Sequence, residues 1–173
     1  MPRRASPTAA RRSCQTLGAV SKFLELEEID RAFISFGKPD RYIGDDLYEP
    51  ERAEYEEMLG GKPREAIEAV DFGSVSWSPL LNLTPDAVGY LLPRMIELAE
   101  AGARDKDGDP FLMRFINFIS MGPSAREFSS LDSAQRSLVT KYLEFVSRNH
   151  TQLVKQECWD EVLEEAIHAW SGA

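Results

Sequence analysis

The side chains with the strongest claim to chemistry stand at Asp105-Lys106-Asp107-Gly108-Asp109-Pro110, where carboxylates at alternate positions copy the opening of a calcium-binding loop. Such a loop also needs a glycine at its sixth position for a sharp turn and a bidentate glutamate at its twelfth; those places hold Pro110 and Ile116. The run therefore reads as a solvated acidic turn, with Asp109 capping the helix that follows. Glu165 and His168 share the Glu-x-x-His spacing that sets two ligands on one helical face in di-iron bundles. Those centres need a second such pair, and the other histidine, His150, has Ser147 in the matching place. His168 reads instead as a partly exposed side chain favoured by the negative end of a last helical turn.

Nucleophiles fare no better. Cys14 lies in an N-terminal tail, Cys158 looks like a packed residue at the apolar start of a last helix, and there is no Gly-x-Ser-x-Gly elbow. Neither the Walker pattern nor the dinucleotide fingerprint occurs, so the sequence assigns no catalytic, cofactor or metal residue. What remains is a surface. Asp45, Asp46, Glu49, Glu51, Glu54, Glu56 and Glu57 are opposed locally by Arg52 and interleaved with Tyr42, Tyr48 and Tyr55. Tyrosine supplies contact area and carboxylate supplies steering, which makes Tyr42, Asp45, Asp46, Tyr48, Glu51, Glu54, Tyr55 and Glu57 a candidate interaction face. The plainer alternative is a solvated helix face with the tyrosines tucked beneath it.

Helices must position these groups. From Ser21, the apolar residues Leu26, Ile29, Phe33 and Phe36 recur at three- and four-residue steps, predicting a first helix ended by Gly37 and Pro39. Pro50 opens a second, to about Leu59, and Pro63 a short third through Ile67 and Val70. Phe72 to Leu83 reads as an irregular loop with one short strand, pinned by Trp77. Thr84 and Pro85 start a fourth helix, kinked at Pro93 and closed at Gly102. A fifth, near 110–121, is apolar on nearly every side and belongs at the centre. Asp132 and Gln135 form a capping box for a sixth that ends at Asn149, and Thr151 caps a seventh that runs through Trp159 to Trp170. The expected class is all-α: a compact single-domain bundle of about seven helices.

Composition agrees. The 173 residues are 43% hydrophobic and 28% charged, as in an ordinary globular domain. No stretch reaches the roughly 18 to 20 apolar residues of a membrane-spanning helix. Two cysteines suit a reducing compartment, and the opening lacks the apolar core of a secretory signal, so the expected location is cytoplasmic. Residues 1–22 carry Arg3, Arg4, Arg11, Arg12 and Lys22 and no acid, predicting a disordered basic tail or an overextended start of the reading frame. The acidic helical domain, 23–173, is left with 15 − 29 = −14 charges. Such a body repels phosphate backbones, which argues against nucleic acid as its partner and favours a basic protein.

Ala32-Phe33, the stretch Leu83-Thr84-Pro85-Asp86-Ala87 leading into Tyr90-Leu91-Leu92-Pro93, and Phe128-Ser129-Ser130-Leu131 followed by Gln135-Arg136 and Leu143 carry a resemblance. Over about residues 32–146 the chain resembles an uncharacterised bacterial family known as domain of unknown function 6714. Where that family has a second aromatic beside the Tyr-Leu-Pro element, this chain has Gly89 and Leu92. The resemblance implies a compact bacterial domain and no particular activity, substrate or partner. Two functional expectations follow from the residues. One is a non-catalytic interaction module that neutralises a basic partner such as a toxin domain, and the other is a hydrolase-like or metal-dependent enzyme with carboxylates in an inter-helix pocket.

Overall fold

Apolar side chains on nearly every side of the segment after Pro110 send it into the core, with Asn117 its exposed residue. In the computed structural model, which describes residues 26–46, 48–74 and 77–172, this is α4 (Phe111–Ile119). Phe111, Leu112, Phe115, Ile116, Phe118 and Ile119 are all buried. Around it lie α1 (Leu26–Ala32), α2 (Glu49–Gly60), α3 (Pro85–Glu100), α5 (Ser133–Asn149), α6 (Thr151–Gln156) and α7 (Asp160–Ser171). α4 packs on α3 and α7, and α5 packs chiefly on α7. Among the described residues there is no strand, only isolated bridges such as Ile43 with Leu83 and Ser74 with Trp77. The class is all-α, as the apolar spacing implied. The expected basic tail, residues 1–22, lies outside the described residues.

Aromatic rings carry the contacts of the core outward from α4. Phe111 stacks on Phe115, whose ring meets Tyr142 of α5, while Phe118 meets Phe128 and Phe128 meets Trp170 of α7. Trp170 also donates its indole N–H to the Ile119 carbonyl at 2.9 Å, which accepts from the Gly122 amide as well, so α7 is tied to the end of α4. Gln135, 2% exposed, completes the capping box with Asp132 in both directions. Its spare amide donates to the Ala32 carbonyl at 3.0 Å, so one side chain starts α5 and finishes α1. α3 begins at the Thr84 hydroxyl, which accepts from Ala87 N, and runs unbroken through Pro93. At Gly89 the chain needs glycine for close approach, because a Cβ there would sit 2.4 Å from the Phe36 ring.

The departures from expectation have local causes. α1 stops at Ala32 rather than reaching Phe36; residues 21–25 of its expected span lie outside the described residues. No third helix follows Pro63. Two 3₁₀ turns, Arg64–Ala66 and Ala69–Phe72, stand there with Ile67 extended between them. Asp71 accepts from Glu68 N and from Lys62 Nζ, and Arg94 Nε takes the Ile67 carbonyl at 2.7 Å, so side chains outcompete helix propagation. The short strand expected between Phe72 and Leu83 is not formed in the described part of that segment. Asp109 is not the cap of α4, whose N-cap is Pro110.

The expected last helix is two. Cys158 adopts φ 59° between α6 and α7, with Cys158 N bonded to the Lys155 carbonyl and Trp159 N to the Val154 carbonyl. Those two bonds make a Schellman turn with cysteine in glycine's place. Gly102 makes the same turn after α3, with its own N–H on the Ala99 carbonyl and Ala103 N on Leu98. Cys158 is exposed, not packed as its sequence neighbours implied.

Candidate functional site

α2 has few apolar residues and buries only Tyr55 and Leu59. Pro50 in its first turn and Glu49 and Glu51 beside the positive end of the dipole start it without a side-chain cap from Tyr48. With two buried anchors and Met58 packed beside them, much of the remaining circumference faces solvent. Glu51, Glu54 and Glu57 follow one another at three-residue steps on that outer side, all exposed, and none makes an ion pair among the described residues.

The rest of the candidate face is put to other uses. Asp45 receives the Arg41 guanidinium at 2.5 Å and Arg52 at 3.0 Å, and the Arg41 contact holds its carboxyl below the usual range. Asp46 is bonded by Arg126, eighty residues along the chain. Glu56 turns inward and accepts from the amides of Tyr42 and Ile43 at 3.1 and 2.7 Å, fastening the loop before α2 to its side. Tyr42 and Tyr55 are 2% and 3% exposed, so neither contributes to a surface, which corrects the sequence expectation for those two. The tyrosine rings supply core area instead. Tyr55 packs on Trp77 with centroids 4.5 Å apart, and Tyr42 meets Tyr90 edge to face. Tyr48 is exposed at the start of α2.

Burial leaves its mark on the phenols. Tyr42 is pushed up to about 12 by burial first, then by Tyr90 and Glu56, and its hydroxyl is the buried side-chain polar atom left without a partner among the described residues. Tyr55 is raised by burial and then by the nearby charges of Glu51 and Glu54. Tyr142 stands well above the usual range through burial and its hydrogen bond to Glu100 at 2.9 Å.

The other sequence candidates fall into structural roles. Asp105 is not solvated: it is 4% exposed, its Oδ1 accepts from the amides of Asp107 and Asp109, and its Oδ2 meets Arg114 at 3.3 Å. The calcium-like spacing is an Asx turn locked to a buried arginine. Glu165 and His168 are both exposed on α7. His150 sits at the α5–α6 junction, 3.3 Å from Glu100. Among the described residues, no group of three or more His, Cys, Asp or Glu side chains is placed to hold a metal.

One depression of about 210 Å³ does join carboxylates from different elements, namely Asp30, Glu65 and Glu97. Arg64 lies 2.7 Å from Asp30 and 3.7 Å from Glu65, and Arg94 lies 2.6 Å from Glu97. Each acid faces a guanidinium, so the depression is an arrangement of charge pairs. Sequence reading missed Arg126 as the partner of Asp46 and Arg114 as the partner of Asp105. The first pairing spans too much chain to be legible, while an arginine inside a largely apolar helix was the available sign of the second.

No family model, no curated protein and no solved structure matches the chain. Fold and surface define a class: an all-α domain whose second helix presents carboxylates unpaired among the described residues. Among the described residues, no helix is long and apolar enough to cross a membrane.

Proposed function

We propose that this domain is a non-catalytic interaction module that captures a basic protein through the outer face of α2. One observation carries the reading: Glu51, Glu54 and Glu57 form an exposed row without counter-charges among the described residues, beside Asp45 and Asp46, which have them. Unpaired carboxylates on a ridge, backed by the −14 charge of residues 23–173, attract a cationic surface and speed its encounter. The same sign repels nucleic-acid phosphates, so the partner class is protein. Neutralising a basic toxin domain in an immunity role, within the cytoplasm, is the form of activity this charge suits. Kinship with the domain of unknown function 6714 family belongs to the same proposal, supported by the capping roles of Thr84 and Gln135 within the matching stretches.

The test is affinity capture from the native host at low salt, comparing the natural chain with Glu51→Lys/Glu54→Lys/Glu57→Lys and with Asp45→Asn/Asp46→Asn. The expected outcome is a basic protein retained by the natural chain and the asparagine variant and lost by the lysine variant. Retention of the same protein by all three would remove the proposal.

A further inference from the structure

α2 is held in place by few contacts. Glu51, Glu54 and Glu57 repel one another at three-residue steps, no side chain caps its first turn, and a lone helix of 12 residues is marginal in water. Tertiary contacts must therefore keep it folded, yet among the described residues no other helix packs extensively against it. Its apolar anchors are Leu59, half-buried Met58, and Tyr55, whose ring centroid lies 4.5 Å from that of Trp77. Arg52 meets Asp45 at 3.0 Å, but Asp45 is open to water and the pair weighs little. Lys38 Nζ reaches the Gly60 carbonyl at the end of the helix, at 2.9 Å and exposed. Glu56 differs from all of these. Both its carboxylate oxygens are committed, Oε2 to the amide of Tyr42 at 3.1 Å and Oε1 to the amide of Ile43 at 2.7 Å, and those two residues are buried.

The loop that receives Glu56 is anchored elsewhere. The Tyr42 carbonyl accepts from the Thr84 amide and the Gly44 amide donates to the Asn82 carbonyl, both at 2.8 Å, and the Thr84 hydroxyl donates to the Arg41 carbonyl at 2.9 Å. Residues 41–44 are thus fixed to the start of α3, and α2 is fastened to them by one carboxylate and a short apolar strip. We propose that Glu56 is a latch: α2 opens and closes as a unit against the fixed 41–44 loop, and the row of Glu51, Glu54 and Glu57 keeps its helical register only while Glu56 is engaged. Elements with few buried contacts open below the free energy of global unfolding. Hydrogen bonds to an ionised acceptor are about twice as strong as neutral ones, so the carboxylate sets how often this one opens. Its use, to control when the row is presented to a basic protein, rests on the function proposed above. The latch itself needs no partner, so the free chain tests it and a failed capture is a separate result.

The experiment is native-state hydrogen exchange of the ¹⁵N-labelled full chain, followed by NMR, for the natural sequence, Glu56→Gln and Glu57→Gln. In the natural chain the amides of α2 are expected to exchange together with those of Tyr42 and Ile43, through an opening more frequent than the one that exposes α4 and α5. The Gly44 and Thr84 amides, which belong to the fixed loop, are expected to stay protected through that opening. Glu56→Gln keeps the shape but turns one acceptor into a donor facing an amide N–H. It is expected to speed exchange of α2, Tyr42 and Ile43 by at least about tenfold and to leave α5 unchanged. Glu57→Gln, on the exposed side, is expected to stay within about twofold of the natural chain. Exchange of α2 at the rate of α4 and α5 in the natural chain overturns the latch. So does a Glu56→Gln effect that is absent, that reaches α5 equally, or that Glu57→Gln reproduces.

Discussion

Two ion pairs in this molecule share one chemistry and have opposite surroundings. Arg114 and Asp105 have side chains 5% and 0% exposed, whereas Arg126 and Asp46 have side chains 52% and 73% exposed. In the buried pair the other bonds are also allotted, Asp105 to two amides and Arg114 to two carbonyls. In the exposed pair water competes for both partners. The difference teaches that a count of carboxylates does not say which of them a partner can use. Some are committed to the fold, some are neutralised at the surface, and, among the described residues, Glu51, Glu54 and Glu57 are neither.

The largest expected effect is at Asp105. Replacing it with alanine strands a buried guanidinium and two amides, and urea unfolding is expected to show a loss of about 3–5 kcal/mol. A loss under about 1 kcal/mol would put the buried pair on a level with the exposed one. Gln135→Glu separates burial from pairing: it keeps the shape, removes the donor to the Ala32 carbonyl and buries a charge, for an expected loss of about 1–3 kcal/mol.

Tyr42→Phe reverses the sign, since it deletes a buried hydroxyl that has no partner among the described residues, and a gain of up to about 1 kcal/mol is expected. Its pH dependence sharpens the point. The folded phenol near 12 lies above its unfolded value of 10.0, so the unfolded chain gives up its proton first, and stability falls as pH rises from 10 towards 12. Unfolding midpoints across that window are expected to fall more steeply for the natural chain than for Tyr42→Phe. Smallest of all, Asp46→Asn is expected to leave the urea midpoint unchanged within error, at low salt and at high.

Legibility in the sequence followed the strength of local signals. α3, α4 and α5 could be read because apolar spacing, Thr84-Pro85 and the Asp132–Gln135 box all point the same way. The helix expected after Pro63 failed because Lys62 and the acid pair Glu68 and Asp71 redirect the backbone locally and Arg94, distant in sequence, takes the Ile67 carbonyl. Cys158 hid a Schellman turn because cysteine rarely takes a left-handed conformation and so gives no breaker signal. On the candidate face, the acids of α2 were legible as a row. The burial of Tyr42 and Tyr55 stood only as the plainer alternative, since composition cannot tell a surface tyrosine from one whose ring fills a core.

The division between committed and available carboxylates can be measured directly by adding a heptalysine peptide to the ¹⁵N-labelled chain at low salt and mapping amide shifts. The expected result is a set of saturable shifts centred on Glu51, Glu54 and Glu57 that disappears at high salt, with Asp45 and Asp46 little moved. Shifts centred on Asp45 and Asp46, or spread evenly over all exposed acids, would contradict it.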